Sequence, residues 1–481
     1  MKTHTLACAL LAAAPALVQA QAIDWHARAR AMFEHVIDIP TVIGRGRVPE
    51  MARYLADQYR AAGWADSDIR IMPYDSTAAL IIRWRAPSPA TAKPIMLMGH
   101  MDVVEARRED STTDPFVLTE RDGYYYGRGT IDMKDGIVGI TQALFRLRAE
   151  GFEPGRDIIV FFTGDEETAG EGAYRGSTEW KQYLDVEYGL NADAGGGGVT
   201  RDGKPLGFVV QSAEKTATNF TFTVRNRGGH SSKPRADNAI YQLAAALLRV
   251  EAYRFEPALN ETTRAYLTER QKSEPGNLGD AMRAWLRNPA DGAAADAIEA
   301  DEAETGVTRT RCVATRLFGG HASNALPQLA TANVNCRILP GVDPNVVFDQ
   351  LKRIAGDTMV TVTRNDHGTG APPSPLRADV VGAYTRAVHA LHPGVPVFPE
   401  MSTGATDGLY FRAVGIPIYG VNGSWIVVPE DLREHGKDER LPVRALDDNV
   451  AHWSMMVREL AGRKAASRWP ASHLAPHPFP R

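Results

Sequence analysis

A chain of 481 residues exceeds what one hydrophobic core comfortably organises, so two domains are expected. With 44% apolar residues and a formal net charge of −4, it carries no basic excess that would draw it to nucleic acid. Past the N-terminus, no run approaches the ~20 consecutive apolar residues of a membrane span.

At the N-terminus, Lys2 and His4 precede the apolar stretch 6–18, and Val18-Gln19-Ala20 ends it with small residues at cleavage-type positions. Residues 1–20 therefore read as a secretory signal peptide, which predicts a secreted, most simply periplasmic, protein. A buried N-terminal helix is the plainer alternative. Residues 23–62 follow a mostly helical pattern, broken at Ile39-Pro40 and at Gly44-Arg45-Gly46. Strands are predicted over 69–73, 79–84, 95–99 and 157–163, a helix over 136–150, and a further strand end over 188–194. Buried strands alternating with amphipathic helices predict an α/β sheet.

The rhythm changes near Glu214. A strand over 216–224, a helix over 239–253, strands over 308–318 and 330–339, a helix over 345–355 and a strand over 359–364 follow. Their order, β-α-β-β-α-β, is that of the ferredoxin-like split unit. Residues 257–307 interrupt it as an insertion, read as helical and partly exposed. From 376 the α/β character returns, with a helix over 379–392 and strands over 397–399 and 416–419. The expected organisation is a larger domain in two segments, 21–213 and 369–466, interrupted by a smaller one over 214–368. Residues 467–481, rich in Pro and His, are expected to form a disordered tail.

Removal of the leader leaves Cys312 and Cys336. Antiparallel pairing of their strands about a loop near Asn324 would bring them nearly opposite each other. A disulfide and a pair of free buried thiols both stay open.

Five motifs carry chemistry. Met98-Gly99-His100-Met101-Asp102 follows an apolar run. Residues two apart on a strand face the same way, so His100 is a candidate metal ligand, with Asp102 holding its other ring nitrogen. Gly127-Arg128-Gly129-Thr130-Ile131-Asp132 puts an acid after a glycine-rich turn, without the spacing of a phosphate loop. Thr163-Gly164-Asp165-Glu166-Glu167 places three acids at the end of a very apolar strand, where mutual repulsion calls for a cation. Asn191-Ala192-Asp193 ends the next strand, and Glu434-His435-Gly436-Lys437-Asp438-Glu439-Arg440 lies near the C-terminus.

Taken together in this order, over roughly residues 25–465, the motifs resemble the co-catalytic metallopeptidase family M-twenty. That family includes glutamate carboxypeptidase, aminoacylase, carnosinase and acetylornithine deacetylase. The resemblance implies an α/β catalytic domain with a mixed central sheet, interrupted by a ferredoxin-like dimerisation (lid) domain. It also implies two zinc ions, with cobalt or manganese also suited to nitrogen and oxygen ligands. By matching position Asp132 bridges the metals, His100 and Asp193 complete one site, and Glu167 and His435 the other. Some relatives carry Glu one position after Asp193, where this chain has Ala194. Three carboxylates and a bridging hydroxide would neutralise two dications. Glu166 matches the general base, and Asp102 the residue that orients His100. His230, in Arg227-Gly228-Gly229-His230-Ser231-Ser232, matches a histidine that reaches the partner subunit's site, where it stabilises the oxyanion. Asn324, Arg337 and Thr406 match positions that bind substrate polar groups.

The expected protein is a secreted, homodimeric two-zinc peptidase acting next to a C-terminal amino acid in dipeptides or short peptides. The close alternative is an N-acyl-amino-acid deacylase. Two readings from other classes are a non-catalytic binding homologue and a nucleotide-binding α/β protein suggested by glycine clusters such as 195–198. The first is opposed by the presence of Glu166 and the ligands, the second by the missing phosphate loop.

Overall fold

The computed structural model describes residues 23–463 except 88, 89, 91, 273 and 366–369. The leader expected over 1–20 and the tail expected over 467–481 lie outside the described residues.

An eight-stranded mixed sheet forms the centre. Its spatial order is Ile69–Tyr74, Thr77–Trp84, Ile158–Thr163, Ile95–His100, Tyr188–Val199, Ile418–Val427, Pro205–Glu214, Val397–Ser402. The inner strands Ile158–Thr163, Ile95–His100, Tyr188–Val199 and Ile418–Val427 run parallel. Every residue of Ile95–His100 and of Ile158–Thr163 is buried, because helices cover both faces of the sheet. Parallel strands in that position read as unbroken apolar runs, which is why both stand out in the sequence. On one face Trp25–Ile37, Lys134–Ala149 and Val443–Ala461 bury Phe33, Ile137, Leu144 and Trp453. On the other, Phe161 packs with Ala173, Trp180 and Phe411.

Two elements differ from the sequence expectation. The strand read as ending at 194 continues to Val199 through four glycines, and its neighbour Pro205–Glu214 has no counterpart in the expected set. Gly195 and Gly196 take φ of +93° and +91°, which only glycine adopts without strain. They bend the strand while it keeps pairing with Ile418–Val427.

The smaller domain, or lid, starts with Thr216–Arg225. Its antiparallel sheet has the order Arg311–Gly319, Leu329–Ile338, Thr216–Arg225, Val360–Arg364. The helices Ala239–Ala252 and Pro344–Ala355 bury Leu243, Ala246, Val347 and Leu351 against Phe222 and Val334. Cys312 stands opposite Cys336 in the register, and the two are joined by a disulfide. The insertion is three helices, Glu261–Arg270, Gly276–Arg287 and Gly292–Glu299. They enclose a core of Leu267, Met282, Trp285 and Ile298. Asn260 and Asp291 cap the first and third by accepting amides at 2.8 and 3.0 Å. Among the described residues, no helix is long and apolar enough to cross a membrane.

Candidate metal centre

In open α/β sheets, ligand sites lie beyond the carboxyl ends of the parallel strands. Here register places His100 beside Thr163 and Met98 beside Asn191, so the acids of 165–167, just after one flanking strand, and Asp193, within the other, come to the same edge. His100 is buried, with Nε2 3.1 Å from Asp132 Oδ1 and 3.2 Å from Asp193 Oδ1. His435 Nε2 lies 3.0 Å from Asp132 Oδ2 and 3.0 Å from Glu167 Oε2. The two oxygens of Asp132 thus face two different pairs of ligand-type atoms. Burial opposes the charge on Asp132, but the hydrogen bonds to His100 and His435 prevail and hold it below the usual carboxylate range. The bond to Asp132, with that to Glu167, raises His435 to about 10, while burial pushes Asp193 up to about 6. His435 has φ of +59°, a left-handed conformation that costs ~1–3 kcal/mol.

The three consecutive acids divide their work. Asp165 turns away: it accepts the Tyr74 hydroxyl at 2.6 Å and the amides of Glu171 and Gly172 at 2.7 and 3.0 Å. It thereby sits at the positive end of the helix Glu171–Thr178. Glu166 and Glu167 face the cavity. Burial, with Asp193 nearby, pushes Glu166 well above the usual carboxylate range.

Asp102 differs in detail from the expected arrangement. The atom nearest His100 Nδ1 is the main-chain carbonyl of Asp102 at 3.0 Å, and the carboxylate approaches at 3.5 Å. That carboxylate accepts the amides of Glu166 and Glu167 at 3.2 and 3.1 Å. The strand ends at His100, so the alternation that would align the two side chains stops there. Asp102 secures both the histidine and the acidic turn.

Thr406 lines the cavity, but its hydroxyl is already bonded. It donates to Glu214 at 2.9 Å and accepts from Asn191 Nδ2 at 3.2 Å. Asn191 in turn accepts the Asp193 amide at 3.1 Å, so this network supports a ligand-type residue. His230, Asn324 and Arg337 are in the lid and are not among the cavity-lining residues. His230 pairs with Ala325 across a two-residue ribbon, and Asn324 O accepts the Ser231 amide at 3.0 Å. The ribbon therefore holds His230 and Asn324 side by side and exposed. Arg337 is half-buried, next to Ala217 and Arg311, and makes no ion pair among the described residues.

Two buried ion pairs of the site were not singled out in the sequence. Glu439 accepts the amides of Gly129, Ile131 and Asp132 at 3.1, 2.9 and 3.2 Å and pairs with Arg128. Glu214 pairs with Arg412, whose Nη2 also donates to Gln211 at 2.9 Å. Each carboxylate and its arginine sit far apart in the chain, and only the tertiary structure shows that they pair.

A mixed sheet with helices on both faces, gathering two histidines and several carboxylates beyond its parallel strands, is the framework of a metal-dependent hydrolase. The chain belongs to Peptidase family M20/M25/M40, whose family model matches residues 96–459. Human N-fatty-acyl-amino acid synthase/hydrolase PM20D1 is 30% identical over 398 residues, spanning 80% of this chain and 77% of the relative. Mouse aminoacylase-1 is 26% identical over 394 residues, spanning 81% and 85%. Among solved structures, the M20 family metallo-carboxypeptidase Sso-CP2 from Sulfolobus solfataricus shares the fold with a TM-score of 0.68 at 17% identity, covering 90% of this chain and 98% of its own. Human carnosine dipeptidase 1 does so with a TM-score of 0.64 at 17% identity, covering 90% and 96%. The family, the fold class and the hydrolytic activity expected from the motifs are borne out.

Proposed function

We propose that this protein is a two-metal amidohydrolase that releases a C-terminal amino acid from an acyl or peptidyl partner. The observation that carries this reading is the placement of Asp132, whose oxygens each face a separate histidine and carboxylate. The residues fit two dications. Their donors are nitrogen and oxygen without thiolate, which suits zinc and also cobalt or manganese, and Glu167 Oε1 is buried without a hydrogen-bond partner. His100 and Asp193 would hold one ion, Glu167 and His435 the other, with Asp132 between them. When bound, such ions supply Lewis acidity that polarises the scissile carbonyl and acidifies the attacking water.

The chain's own groups do the rest. Glu166 takes the proton of the attacking water and delivers it to the leaving nitrogen. Arg337, which makes no ion pair among the described residues, offers its fork to the substrate carboxylate. His230 and Asn324 act on the site of a second subunit. Exposed Tyr241, Leu248, Val313, Leu317 and Phe318 on the lid support a homodimer, because a monomer gains nothing from keeping them in water. The Cys312–Cys336 disulfide supports export to an oxidising compartment.

Export favours scavenged peptides as substrates. The named activities of PM20D1 and aminoacylase-1 favour N-acyl amino acids instead, and we place these first. Zinc-loaded protein is expected to release amino acid faster from N-acyl amino acids than from matched dipeptides. Preferred release from dipeptides would make it a peptidase, and release from neither would refute the reading. In subunit mixing, His230→Ala combined with a His435→Ala partner is expected to recover activity that neither homodimer shows. No recovery would rule out a shared site.

A further inference from the structure

The cavity that contains the metal-ligand residues continues well past them. Its volume is about 1170 Å³, whereas ordinary small-ligand sites occupy roughly 300–1,000 Å³. From Asp193 its floor follows the strand Tyr188–Val199 along Gly195, Gly196, Gly197 and Gly198. Five residues of strand at ~3.3 Å each place Gly198 no more than roughly 16 Å from Asp193, the bend at Gly195 and Gly196 shortening the span. An extended chain advances ~3.3–3.6 Å for every three main-chain bonds, so this arm accepts on the order of a dozen bonds.

Part of the wall is apolar. Leu206 and Val209 come from one neighbouring strand, Ile426 and Val428 from the other side, and Phe398 from a third segment. The glycines of the floor are present for different reasons. Gly195 and Gly196 need their positive φ, and a β-carbon on Gly197 would collide with the Phe208 ring at 2.5 Å. Gly198 has neither constraint. Its φ is not in the left-handed region, and a β-carbon there would meet Val428 Cγ2 at 3.2 Å and Leu206 Cδ1 and Cβ at 3.6 and 3.7 Å. What glycine provides at 198 is the absence of a side chain between two apolar walls, since any side chain there would press on Val428 and Leu206.

The inserted helix Glu261–Arg270 closes the outer side with Tyr266 and Arg270. Their polar ends are engaged: Tyr266 donates to Glu304 at 2.9 Å, and Arg270 pairs with Glu274. Lys204 and Glu400 also reach the cavity, and burial pushes Glu400 up to about 7.

We propose that this glycine-floored arm holds the unbranched alkyl chain of a long-chain N-acyl amino acid. Gly198 sets the chain length that fits, and the insertion forms the outer wall. The proposal rests on the N-acyl reading above and adds to it the class of acyl group and the residues that select it.

The test is a series of one amino acid carrying acetyl, octanoyl, lauroyl or palmitoyl groups. For wild type, kcat/KM is expected to climb by up to about fourfold per buried methylene and to level off once the arm is full. Lauroyl should exceed acetyl by at least about a hundredfold. Gly198→Leu should reduce the lauroyl-to-acetyl ratio by at least about tenfold. The ratio is the readout because a poorly folded variant lowers both rates together and leaves it unchanged. Should Gly198→Leu not fold, Val428→Trp fills the same space from the facing wall and is held to the same ratio. A flat wild-type profile, or an unchanged ratio in a folded variant, would overturn the alkyl arm and leave the N-acyl reading standing. Cleavage of dipeptides alone, weakened by Glu400→Gln, would show that the arm receives an ammonium and would overturn both. Release from no substrate in the series would overturn the N-acyl reading itself.

Discussion

Glu166→Gln is expected to keep its full metal content and lose about 10²–10⁴-fold in kcat. The substitution preserves size and hydrogen bonding while removing the basic oxygen. The main chain at 166 stays fixed, since its amide donates to Asp102 and not through the altered side chain. KM should change little, because the proton transfer belongs to the transition state. One geometric fact makes the metal assay essential. Glu166 lies close enough to His100 and Asp193 for all three to hold one ion. Elemental analysis therefore decides between two roles. Two metals with lost turnover make Glu166 the base, one metal makes it a ligand, and a kcat within tenfold of wild type removes it from proton transfer. Glu167→Gln serves as the contrast, since that carboxylate faces His435 and its loss should empty the second position.

The site was legible where chemistry and strand ends coincide. His100 and the acids of 165–167 each follow a run of buried apolar residues, and such runs advertise inner parallel strands. An acid or histidine directly after one of them has to serve some function, because burying it bare would be costly. The β-α-β-β-α-β order of the lid was equally readable, since two of its strands, Thr216–Arg225 and Leu329–Ile338, alternate between buried and less buried positions. Illegibility had two sources. Glycines hid the strand running to Val199, and its partner Pro205–Glu214 has no counterpart among the expected strands. The insertion is helical and partly exposed as expected, but its polar composition gives no sign that Tyr266 and Arg270 reach the cavity.

The deeper gap concerns charges that hold other residues in place. Within Glu434-His435-Gly436-Lys437-Asp438-Glu439-Arg440 the sequence offers six ionisable side chains, and a run of that kind usually faces water. Glu439 is buried, and burial pushes it up to about 7 despite Arg128 beside it. A carboxylate kept there against that desolvation has to be compensated by what it binds. It binds the backbone of 129–132, and Arg128 completes the connection by donating to the Gly436 carbonyl at 2.8 Å. One buried pair thus joins the turn that presents Asp132 to the loop that presents His435.

Glu439→Ala is accordingly expected to damage the metal centre without touching a ligand. Arg128 would be left as an uncompensated buried charge, and breaking a buried pair in this way costs about 3–5 kcal/mol of stability. The three amides freed at 129, 131 and 132 loosen the Asp132 turn. Groups that orient ligands typically contribute 10–100-fold to metal affinity, so an affinity loss of about that size should accompany the fall in denaturation midpoint. Arg128→Met in the same chain removes the orphaned charge and should recover much of the stability. It cannot rebuild the carboxylate that fixes the Asp132 turn, so metal affinity should stay low in the double variant. That divergence separates a positioning role from a merely structural one. If affinity returns together with stability, Glu439 supports the fold alone, and the Asp132 turn keeps its geometry without it.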